Sequence, residues 1–175
     1  MYNNSQKQKW YALFVLTGEE ENVKRRLQYK FQGKNLKFIV PKRRLVERKD
    51  GEWQAKIRIL FPGYVLLNGL VDVEDYYDLK GTPGLVTILK SKHEPLEISE
   101  QEINIISRLI CNDEIIGSSS VFIEGDRIIV KDGPLLGMDG IIESINKRKG
   151  RAKVRIDFIG GPRIVELSVS IMQTA

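Results

Sequence analysis

The run Lys147-Arg148-Lys149-Gly150-Arg151, followed by Lys153 and Arg155, concentrates positive charge in one short stretch of the chain. Cations at that density can neutralise several phosphates at once, a binding chemistry in which no covalent bond changes. Lys153 and Arg155 alternate in a strand-like run, so both project on the face opposite Val154 and Ile156. Lys131, on an earlier strand-like run, completes the set of RNA-binding candidates. The competing reading is a solvated turn. If the loop binds nucleic acid, an RNA stem-loop is the favoured specific target, because unpaired bases can be read and a deep A-form groove cannot. Phe122 and Phe158 read as core, and the shortage of exposed aromatics around the loop argues against a sequence-blind single-strand binder.

Catalytic chemistry finds little support. The single histidine, His93, stands in a charged loop with no nucleophile beside it, and the single cysteine, Cys111, falls in an apolar helical pattern. One Cys and one His do not make a zinc site of the usual ligand type. Neither a dinucleotide-binding nor a Walker-type glycine loop is present. We therefore expect no enzyme, no cofactor and no metal, with Cys111 an inert core thiol suited to a reducing cytosol.

A second group of residues has docking chemistry. Phe61 and Tyr64 flank the turn Pro62-Gly63, and Trp10, Tyr11 and Phe14 crowd an early strand. Core packing is the simpler reading for any one of these rings. A protruding aromatic cluster with a polar rim, however, is the usual form of a protein-docking patch.

These groups need elements to position them. Residues 10–17 are apolar on both alternating faces, the pattern of a central strand. Glu19-Glu20-Glu21 then places negative charge at a helix N-terminus. Val23, Leu27 and Phe31 form the buried stripe of that helix, with Lys24, Arg25, Arg26 and Lys30 mostly outside it. A short strand follows at 38–41, then a hairpin whose arms, 44–48 and 53–60, flank Asp50-Gly51. A strand at 64–68, a helix at 74–80, a strand at 85–89 and a helix opened by Ser99 and Glu102 complete an α+β domain with an antiparallel sheet. In the last helix Ile103, Ile106 and Ile110 share one side.

Residues 112–120 have the composition of a flexible linker. Beyond it, strands at 127–131, 140–146, 153–158 and 163–167 and a stub near Ile171 predict a small five-stranded barrel. The domains are thus 9–111, a linker 112–120, and 121–175, with a frayed polar start. Charge is unevenly spread. Residues 1–58 carry 15 Lys/Arg against 6 Asp/Glu, residues 59–120 carry 4 against 10, and residues 121–175 carry 9 against 7. A basic pole beside an acidic one suits a polyanion partner. No apolar run is long enough for a membrane span and no signal-peptide pattern opens the chain, which points to the cytoplasm and away from membranes.

Two signatures in order carry a family resemblance. Trp10-Tyr11, Phe61-Pro62-Gly63-Tyr64-Val65 and Thr82-Pro83-Gly84-Leu85-Val86 resemble the N-terminal (NGN) domain of NusG-like transcription elongation factors. The segment running from Gly125-Asp126 through Gly133-Pro134 to Gly140 resembles their KOW motif, which forms an SH3-like barrel. The resemblance implies that Tyr11, Phe14, Phe61, Pro62 and Tyr64 line a surface for the clamp of RNA polymerase. It also implies that Arg26 and Lys30 face non-template DNA. The cationic loop makes the chain look closer to specialised antiterminators of the LoaP type, whose expected partner is an RNA hairpin in a nascent leader transcript, the chain acting as a monomer. One alternative is the housekeeping factor, whose barrel binds ribosomal protein or Rho; a ribosome-associated KOW protein is the other.

Overall fold

The two-faced apolar pattern at residues 10–16 produces a strand with hydrogen-bonded neighbours on both edges. The computed structural model describes residues 7–110 and 113–173. Cys111, the start of the linker at Asn112 and the polar residues 1–6 lie outside the described residues, and with them the expectations attached to the thiol and the frayed start. In chain order the elements are β1 (Lys9–Val15), α1 (Glu20–Lys30), β2 (Lys37–Ile39), β3 (Lys42–Lys49), β4 (Glu52–Ile59) and β5 (Tyr64–Gly69). Next come α2 (Val73–Lys80), β6 (Leu85–Ile88), β7 (Lys90–Ser91), β8 (Glu94–Pro95) and α3 (Glu100–Leu109). Then follow β9 (Ile115–Ile116), β10 (Ser119–Glu124), β11 (Arg127–Asp132), a 3-10 turn (Asp139–Ile141), β12 (Ile142–Asn146), β13 (Arg151–Phe158) and β14 (Gly161–Ile171). They group into two units, Met1–Val40 with Phe61–Ser99, and Pro41–Leu60 with Glu100–Ala175.

The first unit is an antiparallel sheet of order β2-β5-β1-β6 with helices α1 and α2. Leu13, Val15, Val65, Leu67 and Ile88 are buried together with Val23 and Leu27 of α1 and Leu79 of α2. Each such side chain contributes about 1.5–3 kcal/mol on burial. Asp72 caps α2: its side chain accepts from the Asp75 N–H, and the Asp75 carboxylate accepts from the Asp72 N–H. That reciprocal cap starts the helix one residue before the 74–80 read from sequence. The β7–β8 pair, two residues a side, has no counterpart among the elements expected from sequence.

The second unit contains a five-stranded sheet of order β11-β10-β14-β13-β12. Its five strands are not quite the five expected. Ser119 and Ser120, read as linker, begin β10, while the stub at Ile171 is the end of β14. The long β14 pairs antiparallel with β13 and then, at Val169–Ile171, parallel with β10. Val121, Val154, Ile156, Phe158 and Leu167 fill the interior. The β3–β4 hairpin also belongs to this unit and turns through Asp50 and Gly51, both at positive φ (54° and 85°), as the Asp-Gly pair requires. Helix α3 packs against β13 and buries Ile103, Ile106 and Leu109; the third position is Leu109 rather than the expected Ile110, which is only half-buried.

Gly133 and Ser119 hold the barrel's Gly-Pro turn. Ser119 Oγ, fully buried, accepts from the Leu135 N–H at 3.0 Å. Gly133 has φ +98°, and a Cβ there would meet Ser119 Cα at 2.6 Å and the Ser118 carbonyl oxygen at 2.7 Å. Both obstacles are backbone and cannot swing away. Gly133→Ala should therefore destabilise the protein by at least about 1–3 kcal/mol, read as a lower urea midpoint, whereas Gly125→Ala, with open space around it, should cost less.

Candidate functional site

The turn at 61–64 is built by one glycine and one carboxylate. Gly63 takes φ +86°, its carbonyl accepts from the Val15 N–H at 2.9 Å, and its own N–H donates to Glu20 Oε1 at 2.8 Å. The other oxygen, Glu20 Oε2, accepts from the Gly18 N–H at 2.9 Å. Glu20 is 1% exposed, a buried carboxylate that joins the start of α1, the end of β1 and the entry to β5. From sequence it has only a share in the charge at a helix N-terminus. Its role as a clip is invisible there because its partner N–H lies 43 residues away.

The clip presents a small aromatic face. Phe14 and Tyr64 are directly opposed on β1 and β5, with ring centroids 5.6 Å apart and planes tilted by 55°. Phe14 is 37% exposed, Tyr64 half-buried and Pro62 exposed. Leu16 and Val86, at the same end of the sheet, are also exposed. Of the five residues singled out from sequence, Phe14, Pro62 and Tyr64 come together here. Phe61 is 5% exposed and is interior. Tyr11, three residues before Phe14, faces the other side of β1 and is 8% exposed. It lines a groove of about 650 Å³ with Tyr76, Tyr77, Lys90 and Glu97. Lys90 Nζ stands 4.3 Å above the Tyr76 ring, and Lys9 pairs with Glu97 at 3.3 Å, which raises the lysine's pKa.

The two DNA-contact candidates on α1 are exposed but engaged locally. Arg26 Nη1 donates to the Pro83 carbonyl at 3.0 Å and pairs with Glu19, while Lys30 Nζ donates to the Asp78 carbonyl.

In the second unit the cationic loop joins β12 to β13. Asn146 Oδ1 accepts from the Lys149 N–H at 3.0 Å, and Gly150, at φ +62°, closes the turn. Lys147, Arg148 and Lys149 are exposed and form no ion pair among the described residues. Arg151 differs from them. Its Nη1 donates to Glu166 Oε2 at 2.9 Å and its Nη2 to the Val46 carbonyl at 3.3 Å. Arg43 joins the same node, donating to the Glu166 carbonyl at 3.0 Å, and burial lowers the Arg43 pKa. Lys153 and Arg155 are exposed on β13, alternating with buried Ala152, Val154 and Ile156. Lys131 lies on β11, at the other edge of the sheet order from the loop. Among the described residues, no group of three or more His, Cys, Asp or Glu could hold a metal, and no helix is long and apolar enough to cross a membrane.

A protein-family model described as "Transcription termination factor nusG" matches residues 8–107. The chain belongs to the NusG family. It is 30% identical to the transcription termination/antitermination protein NusG of Thermus thermophilus over 92% of this chain and 95% of the relative. The protein of the same name from Pseudomonas aeruginosa is 28% identical over 93% of this chain and 96% of its own length. The solved structure described as "Domain interaction in Thermotoga maritima NusG" superposes with a TM-score of 0.60 at 23% identity, covering 93% of this chain and 94% of that one, and shares the fold. NusG proteins are non-enzymatic adaptor factors.

Replacing Glu20 by Ala would leave the Gly18 and Gly63 N–H groups without their acceptor. At about 1–3 kcal/mol for each buried donor, Glu20→Ala should lower stability by several kcal/mol and speed amide exchange at Gly63. Glu21→Ala, on the exposed side, should change stability by less than about 1 kcal/mol.

Proposed function

We propose that this NusG-family chain is a processive antitermination factor that holds RNA polymerase with one module and a nascent RNA hairpin with the other. A general role in transcription elongation and antitermination goes with membership of the family. In the finer reading, the aromatic face of the N-terminal domain docks on the polymerase clamp, the segment before β10 is the tether, and the sheet that follows, with its cationic loop, captures RNA. The observation that carries it is the loop at 147–149, three exposed cations with no carboxylate partner among the described residues. Three adjacent exposed cations can neutralise several phosphates at once, which suits a polyanion. Tethering raises the effective concentration of the barrel near emerging transcript, so modest RNA affinity suffices. The exposed ring of Phe14 and the half-buried ring of Tyr64, beside Pro62, supply the protein-docking patch.

The named relatives favour a second reading. Their shared name covers both termination and antitermination, so a housekeeping role, with the barrel serving as an adaptor to ribosomal protein or Rho, is the alternative. Titrating the whole protein with RNA hairpins separates the two, since the adaptor role needs no RNA affinity.

Phe14→Ala with Tyr64→Ala should abolish co-purification with core RNA polymerase at low salt while the protein stays folded. Phe61 is a poor choice for this test because its burial mixes binding with stability. Normal co-purification of the double variant would remove the aromatic face from the interface. Lys147→Ala, Arg148→Ala and Lys149→Ala together should weaken hairpin binding and lower the salt slope by about one for each phosphate no longer neutralised. An unchanged slope would take the loop out of the RNA site.

A further inference from the structure

The β3–β4 hairpin has one face that no core residue explains. Strand register pairs Arg44 with Ile57, Val46 with Ala55, and Arg48 with Trp53, and alternation places all six on a single side. Every one of the six is exposed, with Trp53 at 54%, Ile57 at 50% and Val46 at 39%. The opposite side carries Leu45, which is buried, and Arg43, which is tied to the Glu166 carbonyl. The hairpin is therefore seated by one face and leaves a tryptophan and two branched aliphatics open on the other.

Charge indicates what such a face receives. Residues 42–59 contain seven Lys/Arg and three Asp/Glu. None of the three acids belongs to the open face: Glu47 and Glu52 alternate to the other side, and Asp50 is in the turn. Glu47 is also occupied by Arg58, which donates to both its oxygens at 3.1 and 2.6 Å. The open face thus offers two guanidinium groups, one indole and no carboxylate. Arg44 has no hydrogen-bond or ion-pair partner among the described residues, and Arg48 uses only its Nε, on the Gly51 carbonyl. Rings interleaved with cations suit unpaired nucleotides, whose bases stack on the ring while the phosphates meet the cations. A protein partner would find no anchor for its own cations here. From residue 44 to residue 48 the strand spans about 14 Å, room for a short run of nucleotides.

The same unit brings the middle of β3 to the end of the cationic loop. Arg151, the last residue of that loop, donates to the carbonyl of Val46 in the middle of β3. We propose that Arg44, Arg48, Trp53 and Ile57 form a platform for single-stranded RNA, which takes unpaired nucleotides flanking the duplex held by Lys147, Arg148 and Lys149. The proposal rests on the RNA reading of the loop. It also supplies the stacking aromatic that the barrel's own sequence lacks. Duplex recognition is then assigned to the loop and single-strand recognition to the hairpin, on one continuous unit.

The test uses the full chain and two fluorescent RNAs, a blunt hairpin and the same hairpin with a 5′ single-stranded extension of about eight nucleotides. The wild-type protein should bind the extended RNA roughly tenfold more tightly than the blunt one, and Trp53→Ala should erase that preference. Trp53→Phe should keep most of it. Because Trp53 is exposed, an unchanged melting curve confirms that the variant is folded. The triple loop variant should weaken binding to both RNAs and retain the preference between them. Equal wild-type binding of the two RNAs, or a preference that survives Trp53→Ala, overturns the platform while leaving the loop's role intact. An extension made of DNA that works equally well overturns the assignment to RNA. Failure of the wild-type chain to bind either RNA overturns the RNA reading of the loop and the platform with it.

Discussion

One buried carboxylate governs the first unit. Glu20 accepts from two backbone N–H groups separated by 45 residues of sequence, Gly18 and Gly63, and each bond meets a donor that the strand ladders leave over. A carboxyl group at 1% exposure is tolerated only when its oxygens are satisfied, and here both are. The consequence reaches the surface. With Gly63 fixed through its N–H to Glu20 and through its carbonyl to Val15, β5 enters the sheet in the register that opposes Tyr64 to Phe14. A Cβ at Gly63 would approach Phe14 Cε2 to 3.3 Å. The glycine therefore serves the turn's positive φ and the packing of the exposed ring together.

The second unit depends on a different device. Arg43 and Arg151 converge on one residue, Glu166, through its carbonyl and its carboxylate respectively. Only Arg151 reaches the carboxylate, and the Nε atoms of both arginines are buried without a partner. Burial lowers the Arg43 pKa, yet an arginine remains charged across any accessible pH. A partly buried pair such as Arg151–Glu166 adds little net stability but fixes geometry. What it fixes is the hairpin beside the end of the cationic loop.

Much of this was legible in the sequence where a single local rule decides. The two-faced apolar run of β1, the Val23-Leu27-Phe31 stripe of α1 and the Asp50-Gly51 turn depend on near neighbours or on backbone dihedrals, and each is found at its expected place. The alternation of Lys153 and Arg155 against Val154 and Ile156 also emerges directly. Partners distant in sequence decided the rest. Ser119 and Ser120 look like linker until Val169 and Ser170 pair with them across the sheet. Tyr11 and Phe14 look equivalent until strand alternation sends them to opposite faces, and which of the two rings flanking the Pro-Gly turn is interior is decided by the fold, which buries Phe61.

The cations make the same point about function. Counted along the chain, Arg26, Lys30, Arg151 and Lys147 are alike, but three of these four are bound to backbone carbonyls. A cation that satisfies a carbonyl has already lost part of its hydration and side-chain freedom to the fold, so it has less to gain from a phosphate. Lys147, Arg148 and Lys149 have made no such commitment. Net charge therefore overstates the polyanion surface of this protein, and its effective part lies among the cations that the fold leaves unengaged. Lys147, Arg148 and Lys149 occupy a loop whose backbone is anchored by Asn146 and by the Val169 N–H on the Gly150 carbonyl. The side chains stay open while the chain beneath them is held, which keeps the entropic cost of binding to the side chains alone.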